Sequence, residues 1–175
     1  LEMSSVGAQV LEPRSVSLAK QNNVSLVVRS SFKKVSGTKI VKSRNILEKR
    51  NISGIVFSKN DSKITLLGIP DKPGVAAKIF GALSKASVVV DVIVQDISPS
   101  GLLNVSFTVG QKDLLVAQES LNGLVKNYFP DMQVSQEQKL AKVSIVGVGM
   151  QHHPGVASKM FEILAENGIN IKLIT

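Results

Sequence analysis

Beyond residue 64 the apolar positions follow a regular succession of periods. Ile64 to Ile69 is an apolar run of strand length, broken by the loop Pro70 to Gly74. Val75, Ile79 and Leu83 recur at i, i+4 spacing and predict a helix over 75–86. Val88 to Val94 is a β-branched run, too apolar for a half-exposed strand. Leu103, Val105, Phe107 and Val109 alternate, the period of a strand with one buried face. Asp113 is placed to cap a helix carrying Leu114, Ala117, Leu121, Leu124 and Val125 on one stripe, and Met132 to Gln136 reads as a last short strand. The order β-α-β-β-α-β predicts an α+β split plait of ferredoxin-like type, with helices covering one face of an antiparallel sheet.

Upstream the pattern is less regular. Residues 3–22 read as two helical pieces interrupted by Pro13, the second running from Arg14 to Lys20. Val24 to Ser30 and Ile52 to Ser58 are short strand candidates, and Asn60-Asp61-Ser62 reads as a turn.

After residue 137 the sequence starts over. Ile64-Thr-Leu-Leu-Gly68 is matched by Val143-Ser-Ile-Val-Gly147, and Pro73-Gly-Val-Ala-Ala-Lys-Ile-Phe80 by Pro154-Gly-Val-Ala-Ser-Lys-Met-Phe161. Leu83 matches Leu164, and the second loop is longer by two residues. The second copy reaches Thr175 after its second strand, half a unit short, so the expectation is either a longer chain of which this is a part or another segment that completes the sheet.

Composition narrows the chemistry. The chain has no cysteine, which excludes thiol catalysis and a Cys-ligated metal, and only two histidines, so no metal site is expected. It holds no apolar run of membrane-spanning length and no basic segment leading into a signal-like apolar stretch; a cytoplasmic location is expected. The net charge of +8 is confined to residues 1–63, with 12 Lys/Arg against 4 Asp/Glu. It is densest from Lys33 to Arg50, a Ser- and Gly-containing stretch that reads as an exposed connector, or as a contact for phosphates or an acidic partner. No aromatic residue is interleaved with the charges of that stretch, and Phe107 is the only aromatic of the first plait's strands, so nucleic-acid binding is not expected.

Each repeat places Pro-Gly where a strand gives way to a helix. Helix N–H groups and the positive end of the helix dipole favour a carboxylate there. Asp71 in the first loop, with Gln95 and Asp96 at the end of the second strand, could accept an ammonium group. Together these suit an α-amino acid. The plain alternative is that Pro-Gly only starts a helix, Gln95 is only an edge residue and His152-His153 only an exposed pair.

Ile64-Thr-Leu-Leu-Gly-Ile-Pro-Asp-Lys-Pro-Gly-Val-Ala-Ala-Lys-Ile-Phe80 resembles the first ACT domain of aspartate kinases. Val143-Ser-Ile-Val-Gly-Val-Gly-Met150, followed by His153-Pro-Gly-Val156, resembles their second. Leu1 to Leu11, Arg14-Ser-Val16 and Val28-Arg-Ser-Ser-Phe32 resemble the end of the kinase domain in that family. The resemblance implies tandem ACT domains, the second incomplete: 1–51 the end of the kinase domain and a basic linker, 52–63 a strand completing the second ACT unit, 64–136 the first ACT domain, and 137–175 part of the second.

Aspartate kinases phosphorylate aspartate with ATP and magnesium, and their paired ACT domains bind lysine or threonine as feedback inhibitors. The family's Lys-Phe-Gly-Gly-Thr nucleotide motif is absent, so no catalytic residue and no cofactor is expected in this chain. The resemblance implies an effector site from Asp71, Lys72, Pro73, Gly74, Val75, Ala76, Gln95 and Asp96. Asn170, Ile171 and Ile174 would come from a partner strand, and a weaker second loop would use Met150, His153, Pro154, Gly155 and Val156. It also implies a homodimer through ACT domains, or pairing with a catalytic kinase chain, with neither nucleic acid nor membrane as partner. The chain departs from the family at Asp96 and Val89, where asparagine is usual. These departures leave the pocket facing Asn170 intact and favour one effector site of each kind per dimer over two fully equivalent ones, and Asp96 tilts the expectation toward lysine. An ACT dimerisation module without effector binding is the alternative.

Overall fold

The structure is a computed structural model, and it describes residues 11–41, 52–147 and 155–175. The expected helix over residues 3–10 and the segment Lys42 to Arg50 lie outside these. The chain forms two compact units, one of 58–142 with Leu173–Thr175 and one of 1–57 with 143–172.

The first unit carries the plait. Its sheet has four strands, β3 (Gly54–Pro70), β4 (Val90–Ile97), β5 (Leu102–Gly110) and β6 (Gln133–Val146), in the order β4-β5-β3-β6. β5 pairs antiparallel with both β3 and β4, so β3 and β4 run in the same direction. Helices α2 (Val75–Lys85) and α3 (Leu114–Tyr128) pack on one face. Ile64, Leu66 and Ile69 of β3, Val105 and Phe107 of β5, Ile79 and Leu83 of α2, and Ala117 and Leu121 of α3 form the core. Phe80 meets Phe107 edge to face with ring centroids 5.6 Å apart. This is the ferredoxin-like α+β fold expected from the alternating periods.

Four local expectations are corrected. Asn60-Asp61-Ser62 is no turn: β3 is continuous, with Asp61 opposite Gly110 and Ser62 opposite Val109, and ladder pairing overrides the local turn preference. The two strands read at 132–136 and 143–147 are one strand, β6, with Lys139 in left-handed conformation at φ 57° inside it. No Gly or Pro lies between them to force a turn. Asp113 does not cap α3 with its side chain; a 3-10 turn over Gln111–Asp113 leads directly into the helix. The apolar run at Val88 to Val94 is not a covered strand, since β4 is the sheet's edge and Val89 and Ile93 are 72% and 52% exposed.

The second unit holds α1 (Pro13–Gln21), a hairpin of β1 (Leu26–Val28) and β2 (Thr38–Ile40), and α4 (Val156–Glu166). Pro13 begins α1 rather than interrupting it, as its missing N–H permits at the first helical position. Part of the expected connector is β2, paired with β1 from Leu26–Ile40 to Val28–Thr38. Gly54–Phe57 of β3 and Val143–Val146 of β6 belong to this unit too, and Ser53 N–H donates to the Val146 carbonyl at 2.7 Å. The second strand expected before Thr175, with Asn170, Ile171 and Ile174, is absent: residues 169–175 form no strand. The α4 helix buries no residue, whereas the matched Ile79 and Leu83 of α2 are 1% and 0% exposed.

Candidate functional site

The site is built at the end of β3. Leu66 opposes Val105 and Ile69 opposes Leu103, so two residues, Leu67 and Gly68, face the single Asn104. That is a β-bulge, and Gly68 sits in it at φ +75°, where a side chain would be strained. The bulge aims the chain out of the sheet into the loop Asp71–Gly74. There Lys72 N–H donates to the Pro70 carbonyl at 2.9 Å and Val75 N–H to the Lys72 carbonyl at 3.3 Å.

Gly74 is the residue before α2 and takes φ +89°, ψ −12°. Gly155 before α4 takes φ +99°, ψ −11°. The two copies of the repeat thus share a backbone conformation as well as residues. No atom of the described residues lies within 4 Å of a Cβ built on either glycine. The glycine is therefore required by its positive φ and not by a close approach. Pro73 stands in the turn just before the helix.

No side chain caps α2 and no acidic residue lies in its first turn. The first bond of the helical ladder runs from Lys78 N–H to the Gly74 carbonyl at 3.0 Å. The N–H groups of Ala76 and Ala77 precede it, and such groups have no intrahelical acceptor. They are donors at the positive end of the helix dipole, suited to a carboxylate. Lys78 itself lies over the Tyr128 ring, its Nζ 4.1 Å from the centroid.

Because β3 and β4 run parallel with β5 between them, their C-terminal ends share one end of the sheet. Two inter-strand steps separate them, about 10 Å. A second bulge decides what β4 presents there. Val90 opposes Val109 and Ile93 opposes Phe107, so Asp91 and Val92 face Thr108 alone. Gln95 then pairs with Val105, on the helix-covered side where the loop and the start of α2 lie. Asp96 pairs with Asn104 on the opposite side, since neighbouring strand residues alternate faces.

Asp71, Lys72, Pro73, Gly74 and Ala76 are exposed and Val75 is half-buried. The structure brings these residues and Gln95 to one end and one side of the sheet, and it turns Asp96 away. Ile174 belongs to the same compact unit, while Asn170 and Ile171 are exposed residues of the other. Gly155 and Val156 stand at the start of α4; Met150, His153 and Pro154 lie outside the described residues. Sequence reasoning missed Thr108 and the two bulges. Gly68 could have been found, because it recurs as Gly147 in the repeat.

Among the described residues no cluster of His, Asp and Glu could hold a metal ion, and no helix is long and apolar enough to cross a membrane.

The ACT domain family matches residues 64–123 and 143–175. An aspartate kinase of Pseudomonas fluorescens is 44% identical over the whole chain, which spans 42% of that relative's length. A regulatory subunit of aspartate kinase from Thermus thermophilus, solved free of ligand, is 35% identical with a TM-score of 0.65, over 72% of this chain and 82% of that one. Aspartokinase III of E. coli, solved with lysine and aspartate in its T-state, is 26% identical with a TM-score of 0.69, over 99% of this chain and 38% of that one.

Proposed function

The chain belongs to the ACT domain family, as an aspartate kinase regulatory region, and on that premise we propose that it senses an amino acid, lysine or threonine, and transmits feedback inhibition to an aspartate kinase activity. One observation carries this reading. A left-handed glycine stands before each of two helices that no side chain of the described residues caps, and in the first copy Gln95 faces the same side of the sheet. Helix N–H groups would receive the carboxylate of the effector. Asp71 and Gln95 supply oxygen acceptors for its ammonium group.

Lysine is favoured over threonine by the similar E. coli enzyme, which was solved with lysine. The outward placement of Asp96 removes the charge argument for lysine that the sequence offered. The exposed apolar edge β4 supports pairing with a second chain, since an unpaired strand edge carrying Ile93 and Ile97 is otherwise a liability. The partner is a second copy or a catalytic kinase chain, and the work is done in the cytoplasm. Alone, this chain does not phosphorylate aspartate; ATP and magnesium belong to the catalytic part.

The proposed division is 1–51 as the end of a kinase domain with its linker, 52–63 as the strand that completes the second ACT unit, 64–136 as the first and 137–175 as part of the second. The bond from Ser53 N–H to the Val146 carbonyl supports the second assignment. Calorimetric titration of the chain with L-lysine and with L-threonine, beside sedimentation, tests the function. Saturable binding that tightens self-association is expected. Absence of binding by both, with a dimer unchanged, would reduce the chain to a dimerisation module.

A further inference from the structure

The bulge in β4 is held by a side chain outside the site. Thr108 is buried, 8% exposed, and its Oγ1 accepts the Val92 N–H at 3.1 Å. An extra residue in a strand displaces its own N–H from the ladder, and here the hydroxyl replaces the missing carbonyl.

The apolar pattern of β4 does not select this register. Continued from Val90–Val109 without a bulge, the pairing would set Val92 against Phe107 and Val94 against Val105. Val90, Val92 and Val94 would then all face the helix-covered side, the arrangement that alternation alone favours. Gln95 would swing to the open side opposite Asn104, and Asp96 would face the loop opposite Leu103. The observed register instead sets Ile93 against Phe107 and Gln95 against Val105. The hydrogen bond to Thr108 is what the observed register gains over its competitor.

We propose that Thr108 is a positioning residue for the effector site: its hydroxyl holds the bulge at Asp91-Val92 and thereby presents Gln95, rather than Asp96, to the loop at Asp71–Gly74. This rests on the effector-binding reading above and assigns that site a determinant of specificity. A neutral amide faces the loop while the bulge holds, and a carboxylate faces it when the bulge is lost.

Thr108→Val keeps the shape of the side chain and removes the acceptor. In isotope-labelled protein, cross-strand NOEs should connect Ile93 with Phe107 and Gln95 with Val105 in the native chain. In Thr108→Val they should connect Val92 with Phe107 and Val94 with Val105. Titration with L-lysine and L-threonine should show binding weakened about tenfold, the scale of one lost polar contact. Thr108→Ser should retain both the register and the affinity. Deleting Val92 in the Thr108→Val background removes the extra residue, so Gln95 returns opposite Val105 without the hydroxyl, and affinity should recover. That double variant should also fold if Thr108→Val alone does not.

Native NOEs in Thr108→Val, or a double variant with Gln95 opposite Val105 and no recovery of affinity, would overturn the proposal. So would a double variant that fails to fold. If the native chain binds neither amino acid, the effector reading fails, and the NOEs still decide whether Thr108 sets the register.

Discussion

Replacing Gly74 by alanine probes the link from the repeated sequence to the conformation of the site. An L-residue in the left-handed region costs roughly 1–2 kcal/mol. No atom lies within 4 Å of the added Cβ, so no clash adds to this. Alanine also restricts the unfolded chain, which returns about 0.4–1 kcal/mol. The balance is a destabilisation of about 1 kcal/mol, and in a unit of this size that lowers Tm by roughly 4–8 °C. Asparagine tolerates left-handed backbone better, so Gly74→Asn should lose less than Gly74→Ala. Gly155→Ala should cost a similar amount in the second copy, because φ there is +99° and its surroundings are equally open. Thermal unfolding followed by circular dichroism, with urea titration for the free energy, measures each. An alanine variant more stable than the native chain would refute the positive φ. A loss above about 3 kcal/mol would show a close contact where the structure has open space.

Three further outcomes are expected. Phe107→Ala removes a fully buried ring packed on Phe80, and should cost about 3–5 kcal/mol, read as a collapse of the urea midpoint. Ser62 is fully buried and its Oγ has no hydrogen-bond partner among the described residues, so Ser62→Ala should raise the urea midpoint, by about 1 kcal/mol or more in free energy; a lowered midpoint would show that the hydroxyl is satisfied. Ile93→Lys puts a charge on the exposed edge strand and should shift sedimentation toward monomer with the unfolding midpoint little changed.

The plait was legible because its periods are unambiguous. Alternation at Leu103 to Val109 and the stripe from Leu114 to Leu124 mark a strand and a helix that bury those residues. The left-handed glycines before α2 and α4 were legible through repetition. The strand lengths were not. Asn60-Asp61-Ser62 carries turn-forming residues, yet β3 runs through them because β5 supplies a partner, and partners are set by the whole sheet. The faces of β4 were hidden for a related reason. Its register is decided by a hydroxyl on the next strand, so Gln95 and Asp96 looked like a pair where the structure sets them on opposite sides. Lys33 to Ile40 looked like an uninterrupted linker, but Thr38–Ile40, which carry no strand pattern of their own, find a partner in Leu26–Val28, inside the strand candidate Val24 to Ser30.

In the proposed function the opening of α2 and the end of β4 receive an amino acid. Amide chemical shifts of the labelled native chain, followed as L-lysine or L-threonine is added, test it most directly. Saturable shifts are expected at Gly74, Val75, Ala76, Ala77 and Gln95. Unmoved amides at those five positions, with either amino acid in excess, would contradict it.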